Sequence, residues 1–135
     1  MNKSYLGIDP GRSKTGLALV DGKGEIISLH IADSKNIDRE ISEFTRNNCP
    51  ARIVLGNGTN SRIICEATQK VLPNIAVVEV EEAHSTEEAR TLYWKKNPPQ
   101  GWRKLIPMGM LVPPIPLDAY AAVILVRRFL EGTHE

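Results

Sequence analysis

The chain has 135 residues, which suits one domain built around one hydrophobic core. Hydrophobic residues make up 41% and charged residues 24%, as in an ordinary soluble globular protein, and no apolar run is long enough to span a bilayer. The net charge of +1 neither indicates nor excludes a nucleic-acid partner, because a local basic patch is enough to neutralise a few phosphates. We expect residues 1–135 to form a single domain.

The two cysteines and the N-terminus favour a cytoplasmic protein. Cys49 and Cys65 show neither a metal-type spacing nor the pattern of a secreted disulfide scaffold, so we expect free thiols. The N-terminal residues lead directly into a strand-like run and contain no apolar signal-peptide segment. These features predict a cytoplasmic protein that does not contact membranes.

The first quarter of the chain predicts an antiparallel meander of three strands. Apolar runs favour strands over residues 4–9, 15–20 and 25–31. Residues 21–24, with two glycines, form a tight hairpin signal, because glycine tolerates the positive φ that such turns need.

The rest of the chain alternates helices and strands. We predict helices from near residue 34, over residues 60–72, over residues 86–96 and from residue 116 onward, and strands over residues 52–55 and 75–80. Ser85 and Glu88 have the spacing of a capping box. Residues 97–116 hold six of the nine prolines and are predicted to be a long irregular segment. Because the later strands need crossover connections, they add in parallel, and the fold class is an α/β five-stranded mixed sheet flanked by helices.

Three acids lie where the chemistry of such a sheet is expected. Asp9 ends the first strand, Glu82 follows the fifth strand with Glu81 beside it, and Asp118 lies in the first turn of the last helix. Functional groups in open α/β sheets gather outside the carboxyl ends of the strands. Clustered carboxylates suit Mg²⁺ or Mn²⁺, and ions held in this way activate water against a phosphodiester. Because successive strand residues point to opposite faces, we expect only one of Glu81 and Glu82 to face the site.

Each of these acids also has a purely structural interpretation. Asp9 precedes Pro-Gly and suits a turn. Asp118 would favour a helix N-terminus through the helix dipole, and the Glu81–Glu82 pair suits a solvated strand end. The joint placement of the three on this strand order favours the catalytic interpretation.

Three motifs resemble those of one family. LGIDPGRSKTGLAL, EEAHSTEEAR and PLDAYAAVIL, taken in chain order, are similar to the three motifs of the YqgF/RuvX family, a Holliday-junction-resolvase-like branch of the ribonuclease H superfamily. The resemblance covers nearly the whole chain. It implies a ribonuclease H-like fold, a metal-dependent nuclease, and Asp9, Glu82 and Asp118 as the catalytic and Mg²⁺- or Mn²⁺-binding acids.

The chain departs from the family pattern at two places. Ala83 stands where the middle motif has an arginine, and His84, which follows it, is either a partial substitute or a surface histidine. The segment after the fourth strand, Gly56-Asn57-Gly58-Thr59-Asn60, offers no acid, although related resolvases carry one on that strand. This segment is either an anion site at a helix N-terminus or a turn followed by a helix cap.

Two groups of cations are candidates for nucleic-acid contact. Arg12 and Lys14 lie on the turn after Asp9 and either meet phosphate or are solvated. A second group of cations is interleaved with aromatic residues between positions 93 and 104: Lys95, Lys96, Arg103 and Lys104 with Tyr93, Trp94 and Trp102. The aromatic residues either stack bases or pack their helix onto the core. Because this stretch leads into the helix that carries Asp118, we expect a bound strand and the metal site to be neighbours.

The leading functional hypothesis is a metal-dependent nuclease acting on structured nucleic acid. The resemblance implies either a branched DNA junction, which normally calls for a homodimer, or precursor 16S ribosomal RNA as substrate. The departures at Ala83 and the fourth strand favour an alternative, a catalytically weakened nucleic-acid-binding module of the same fold. A further alternative is an ATP-binding fold of the sugar kinase and actin kind, for which 135 residues leave no second lobe.

Overall fold

The computed structural model describes residues 3–58, 60–107 and 116–132. Its centre is the predicted five-stranded mixed sheet, in the order β3-β2-β1-β4-β5. The strands are β1 (Ser4–Asp9), β2 (Lys14–Asp21), β3 (Ile26–Asp33), β4 (Arg52–Gly56) and β5 (Val77–Val80). The first three pair antiparallel, and β4 and β5 add in parallel to β1, as expected from their crossover connections.

The hairpin between β2 and β3 forms for local reasons. The carboxylate of Asp21 accepts hydrogen bonds from the backbone N–H groups of Lys23 and Glu25, both at 2.9 Å. Gly24 has a φ of 85°, which a side chain would oppose. Because Asp21 pairs with Ser4, this hairpin lies at the end of β1 opposite Asp9.

In the described ranges, four α-helices cover the two faces of the sheet. They are α1 (Ile37–Phe44), α2 (Ser61–Val71), α3 (Ser85–Lys96) and α4 (Asp118–Gly132), with short 3₁₀ turns at Ser34–Asn36 and Gly101–Leu105. The second turn occupies part of the predicted irregular segment, and residues 108–115 of that segment lie outside the described part of the structure. None of the helices in the described ranges is long and apolar enough to cross a membrane.

Successive strand residues fill two separate cores. Leu6, Ile8 and Leu17 pack with α1 and α2 on one face, whereas Ala18 and Val20 pack with α3 and α4 on the other. The face of α4 that packs on this core includes Ala119, Ala122, Val123, Val126 and the partly buried Leu130. The period-two alternation of strands therefore accounts for both layers. Cys49 and Cys65 are free thiols, as predicted.

The predicted capping box at the start of α3 is wrong. Ser85 is the first helical residue rather than the cap, and His84 precedes the helix in the left-handed region, with φ of 64°. The carboxylate of Glu88 pairs instead with Arg128 of α4. A tertiary ion pair has replaced the local cap that the sequence spacing suggested.

Two glycines allow α4 to lie close to the sheet. A Cβ at Gly16 of β2 would overlap the backbone carbonyl of Asp118, and one at Gly7 of β1 would overlap that of Ala122. Since these contacts are with backbone, a flexible side chain cannot relieve them. The two glycines therefore hold the first residue of α4 next to the end of β1 that carries Asp9.

We expect Gly16→Ala to lower the free energy of unfolding by roughly 1–3 kcal/mol, the usual cost of overpacking a close contact. Gly22→Ala is the matched control, because a Cβ there meets nothing within 4 Å. Urea denaturation of the two variants measures the difference. Equal stability of Gly16→Ala and Gly22→Ala would show that the close approach of α4 is not needed.

Candidate active site

The carboxyl ends of three parallel strands bring Asp9 and Glu82 together. Asp9 is the last residue of β1. In the parallel register, Ile8 lies beside Leu55 of β4, and Gly56, which follows Leu55, lies beside Val80 of β5. Glu82, two residues after Val80, therefore emerges at the same rim of the sheet as Asp9, where functional groups of open α/β sheets gather.

Glu82 reaches Asp9 across the end of β4, where glycines leave space for it. A Cβ added at Gly56 would lie 2.5 Å from Oε2 of Glu82, and one at Gly58 would overlap Oε1. The end of the fourth strand has no acid of its own, but the carboxyl group of Glu82 lies against it. The sequence did not indicate this arrangement, because the contact joins two segments that are more than 20 residues apart in the chain.

The structure places Glu82, and not Glu81, against Asp9. Glu82 is partly buried, and among the described residues its Oε2 is buried without a hydrogen-bond donor. Glu81 is exposed. The geometric part of the prediction is correct, and a metal-binding role for Glu82 remains a prediction.

Burial and neighbouring negative charge hold Asp9 in its protonated form. The pKa of Asp9 is raised from 3.8 to about 8, first by burial, then by the charge of Glu82 and a hydrogen bond with it, and last by the charge of Asp118. Two adjacent carboxyl groups cannot both ionise at low cost unless a cation neutralises them. The pair is therefore poised to exchange a proton for a positive ion.

Asp118 lies near this pair but does not join it in a compact cluster. It is the first residue of α4, as predicted, and burial raises its pKa while the nearby Lys14 partly opposes that rise. Within the described ranges, no group of three or more His, Cys, Asp or Glu side chains is arranged to hold one ion. The structure thus assembles two of the three predicted acids and leaves the third within electrostatic range.

The chemistry of the Asp9–Glu82 pair fits a divalent cation. Carboxylate oxygens are the ligands that Mg²⁺ and Mn²⁺ prefer. Apart from the hydrogen bond that joins the Asp9 and Glu82 carboxyl groups, the buried Oε2 of Glu82 has no donor within the described part of the chain, and a buried polar atom without a partner usually marks a water or an ion. Asp9 and Glu82 are the residues that would hold such an ion.

Arg128 steadies the segment that carries Glu82. Its guanidinium donates to the backbone carbonyls of Glu81 at 2.6 Å and of Ala83 at 2.8 Å, and it also pairs with Glu88. A cation from α4 therefore contacts the segment in which Ala83 replaces the arginine of the family motif. The side chain of His84 is 78% exposed and lies 3.8 Å from Glu87, so His84 is a surface histidine.

The predicted cations lie at two different places. Arg12, on the turn after Asp9, and Lys14, the first residue of β2, are exposed at the rim that carries the acids. Lys95 and Lys96 instead line a cavity of about 560 Å³ together with the β2–β3 hairpin, Arg127 and Glu131. The expectation that a bound strand and the metal site are neighbours stays a prediction, but that hairpin is at the other end of β1, so these two lysines do not themselves adjoin the acids. The physical reason is that α3 carries the chain away from Glu82 over 12 residues, about 18 Å.

Of the three aromatic residues between positions 93 and 104, two are buried in the core and one is exposed to solvent. Tyr93 and Trp94 are 7% and 4% exposed and pack against Leu117 and Tyr120, which favours the packing interpretation for both. Trp102 is 70% exposed in the second 3₁₀ turn. Lys104 is exposed in the same turn, and the side chain of Arg103 lies outside the described part of the structure.

The fold is ribonuclease H-like. RuvC of T. thermophilus in complex with a Holliday junction substrate matches with a TM-score of 0.63 and 13% identity, covering 97% of this chain and 96% of that one. A second Thermus thermophilus RuvC structure matches with a TM-score of 0.60 and 15% identity over the same shares. No protein-family model matches the chain, and no curated protein matches it by sequence. At these identities the likeness shows the fold alone.

Proposed function

We propose that the protein is a divalent-metal-dependent nuclease of the YqgF/RuvX type that cleaves phosphodiester bonds in structured nucleic acid. The observation that carries this proposal is the partly buried pair of carboxyl groups, Asp9 and Glu82, at the carboxyl end of the sheet, which share a hydrogen bond and have no cation beside them among the described residues. The three motif resemblances and the RuvC-like fold support the same assignment.

Each residue at the rim has a distinct task in this proposal. Asp9 and Glu82 would hold Mg²⁺ or Mn²⁺, with Asp9 in its ionised form and its proton released to solvent. The ion supplies an activated water and stabilisation of the leaving oxygen. Asp118, at the start of α4, would place a third carboxyl group within electrostatic range of Asp9. Arg12 and Lys14 bind the phosphates that flank the scissile bond. Their positive charge offsets the negative charge of those phosphates.

The substrate is either a branched DNA junction or precursor 16S ribosomal RNA. The match to a RuvC solved with a Holliday junction favours the junction, and the YqgF/RuvX resemblance supports the RNA. A junction substrate would call for a homodimer, because two symmetric cuts need two sites. We therefore propose a junction-cleaving dimer first and an RNA-processing nuclease second.

Cleavage assays with matched variants test the function. Wild-type protein with Mn²⁺ or Mg²⁺ is incubated with a four-way DNA junction, a linear duplex of the same sequence, and a structured precursor ribosomal RNA. We expect cleavage of one structured substrate that is lost in EDTA and in Glu82→Gln. Glu81→Gln is the control, because Glu81 is exposed and beside Glu82 in sequence. Cleavage that survives EDTA, or equal losses in the two variants, would contradict the proposal.

A specific observation favours the alternative of a catalytically weakened binding module. In the described residues, Asp118 does not join Asp9 and Glu82 in a three-ligand cluster. Nucleic-acid binding with submicromolar affinity and no cleavage in Mn²⁺ on any of the three substrates would establish this alternative.

A further inference from the structure

Two residues between β4 and α2 form hydrogen bonds with the backbone on the two sides of the carboxylate pair: Asn57 with Glu82 itself and Asn60 with the turn that follows Asp9. Oδ1 of Asn57 accepts a hydrogen bond from the backbone N–H of Glu82 at 3.2 Å, and the backbone N–H of Asn57 donates to the carbonyl of Val80 at 3.1 Å. Asn57 therefore extends the pairing of β4 with β5 past the last strand residue. The side-chain contact determines where Glu82 leaves the sheet.

Asn60 makes the corresponding contact on the other side of the rim. Its Nδ2 donates to the backbone carbonyl of Gly11 at 2.9 Å, across 49 residues of sequence. The same carbonyl accepts a hydrogen bond from the hydroxyl of Ser34 at 2.8 Å. The turn after Asp9, which carries Arg12, is thus held from two directions.

The side chain of Asn60 does not serve as the N-cap of α2. Asn60 occupies the cap position of α2, but its side chain makes no capping hydrogen bond. Asparagine at this position normally satisfies a backbone N–H of the first helical turn. Here the amide donates to the β1–β2 turn instead, so α2 has no side-chain cap from Asn60.

We propose, on the basis of the proposed nuclease function, that Asn57 and Asn60 are positioning residues with separate tasks. Asn57 sets the position of Glu82 over Gly56 and Gly58 for metal binding. Asn60 sets the turn that presents Arg12 to phosphate. The fourth strand, which offers no acid, thereby contributes the framework that fixes ligands supplied by its neighbours.

The separate tasks predict different losses. Asn57→Ala removes the acceptor of the Glu82 N–H, and we expect it to weaken Mn²⁺ binding about three- to tenfold, the equivalent of one hydrogen bond. Asn57→Asp keeps an acceptor at the same place and should restore wild-type affinity or better. Asn60→Ala should leave Mn²⁺ affinity unchanged and raise the KM for nucleic acid about three- to tenfold.

Asn60→Asp makes the test sharper. A carboxylate cannot donate to the carbonyl of Gly11, but it is a good helix cap and suits the helix dipole. We expect this variant to keep or gain thermal stability and yet to raise the KM as Asn60→Ala does. If Asn60 acted only through the stability of α2, the more stable Asn60→Asp variant would keep the KM of the wild-type protein.

Calorimetric titration with Mn²⁺ and steady-state cleavage kinetics measure these effects, with the exposed Asn74→Ala as the control. Unchanged Mn²⁺ affinity in Asn57→Ala, or losses equal to those of Asn74→Ala, would overturn the role of Asn57. An unchanged KM in both Asn60 variants would overturn the role of Asn60.

The proposed nuclease function and the positioning of Glu82 can fail separately. If Mn²⁺ binding depends on Asn57 but the protein cleaves no substrate, the nuclease function is contradicted and the positioning of Glu82 is not. Wild-type protein that binds no Mn²⁺ would contradict both.

Discussion

We expect Asp9→Asn to lose metal-dependent cleavage by a factor on the order of 10³ while making the folded protein more stable at pH 8. The loss follows because a catalytic ion stabilises the transition state by several kcal/mol, and each 1.4 kcal/mol corresponds to about tenfold in rate. The gain follows because an ionised Asp9 is buried beside the carboxyl group of Glu82. Asparagine keeps the shape of the side chain and removes the charge.

The pH dependence of the gain has a definite sign. The pKa of Asp9 is raised in the folded protein, to about 8 from 3.8. Between these values the folded state binds more protons than the unfolded state, so wild-type stability falls as pH rises. We expect Asp9→Asn to match wild type near pH 4 and to exceed it by roughly 1–3 kcal/mol at pH 8, since a tenfold change in proton affinity corresponds to about 1.4 kcal/mol.

Thermal unfolding from pH 4 to pH 8, with and without Mg²⁺, measures the effect. Mg²⁺ should stabilise wild type at pH 8 and leave Asp9→Asn unchanged, because a ligand that binds only the folded state raises its stability. An Asp9→Asn protein that unfolds, or that cleaves at the wild-type rate, would show that Asp9 is not an active-site acid.

The second large effect concerns the cations between positions 95 and 104. Replacing Lys95, Lys96, Arg103 and Lys104 with alanine should weaken nucleic-acid binding and leave thermal stability nearly unchanged. Four phosphate contacts contribute a log–log salt slope of about 3 to 4, and the variant should lose that contribution. The net charge of +1 is too small for the whole surface to attract a polyanion, so the positive field must be local.

A control variant separates a binding surface from a general charge effect. It loses four exposed cations elsewhere on the molecule: Lys3, Arg39, Arg46 and Lys70. Anisotropy titrations of both variants at several salt concentrations give the affinities and slopes. If the two variants behave alike, the surface formed by positions 95–104 is not the binding groove. The cations near the acidic rim, Arg12, Lys14 and Arg62, would then be the next candidates.

Because Lys95 and Lys96 lie beside the β2–β3 hairpin, bound nucleic acid must extend along the sheet to reach both these lysines and the acids. Ser4 and Asp9 are separated by five steps of β1, about 17 Å. Duplex DNA rises about 3.4 Å per base pair along one strand, so this span corresponds to about five base pairs. We expect affinity to drop sharply for duplex arms shorter than this length, in the same anisotropy titrations.

The positions of the acids could be predicted because they depend on where elements end. The turn signal after Asp9 and the strand order placed Asp9 and Glu82 at one rim, and the structure has them in contact. The motif resemblance, together with the alternation of strand residues, chose Glu82 over Glu81, although β5 ends at Val80, before either residue. Local patterns were sufficient here because parallel strands share the direction of their carboxyl ends.

The contacts that the sequence did not reveal all join distant parts of the chain. Arg128 lies 40 residues from Glu88, and their pairing replaced the predicted capping box. Asn60 lies 49 residues from Gly11, so its amide could not be distinguished from a helix cap by spacing. Helix α3 runs away from the rim and so places Lys95 far from the acids. The direction of α3 depends on how it packs against α4.

Crystals soaked in MnCl₂ at pH 8 provide the most direct test of the metal site, because the anomalous signal of manganese locates the ion without assumptions about its ligands. We expect a manganese peak between the carboxyl groups of Asp9 and Glu82, within about 2.0–2.4 Å of an oxygen of each, and no peak there in crystals of Glu82→Gln. A protein whose rim takes up no manganese under these conditions, or whose ion binds away from both carboxyl groups, would contradict the assignment of this pair as the metal-binding acids.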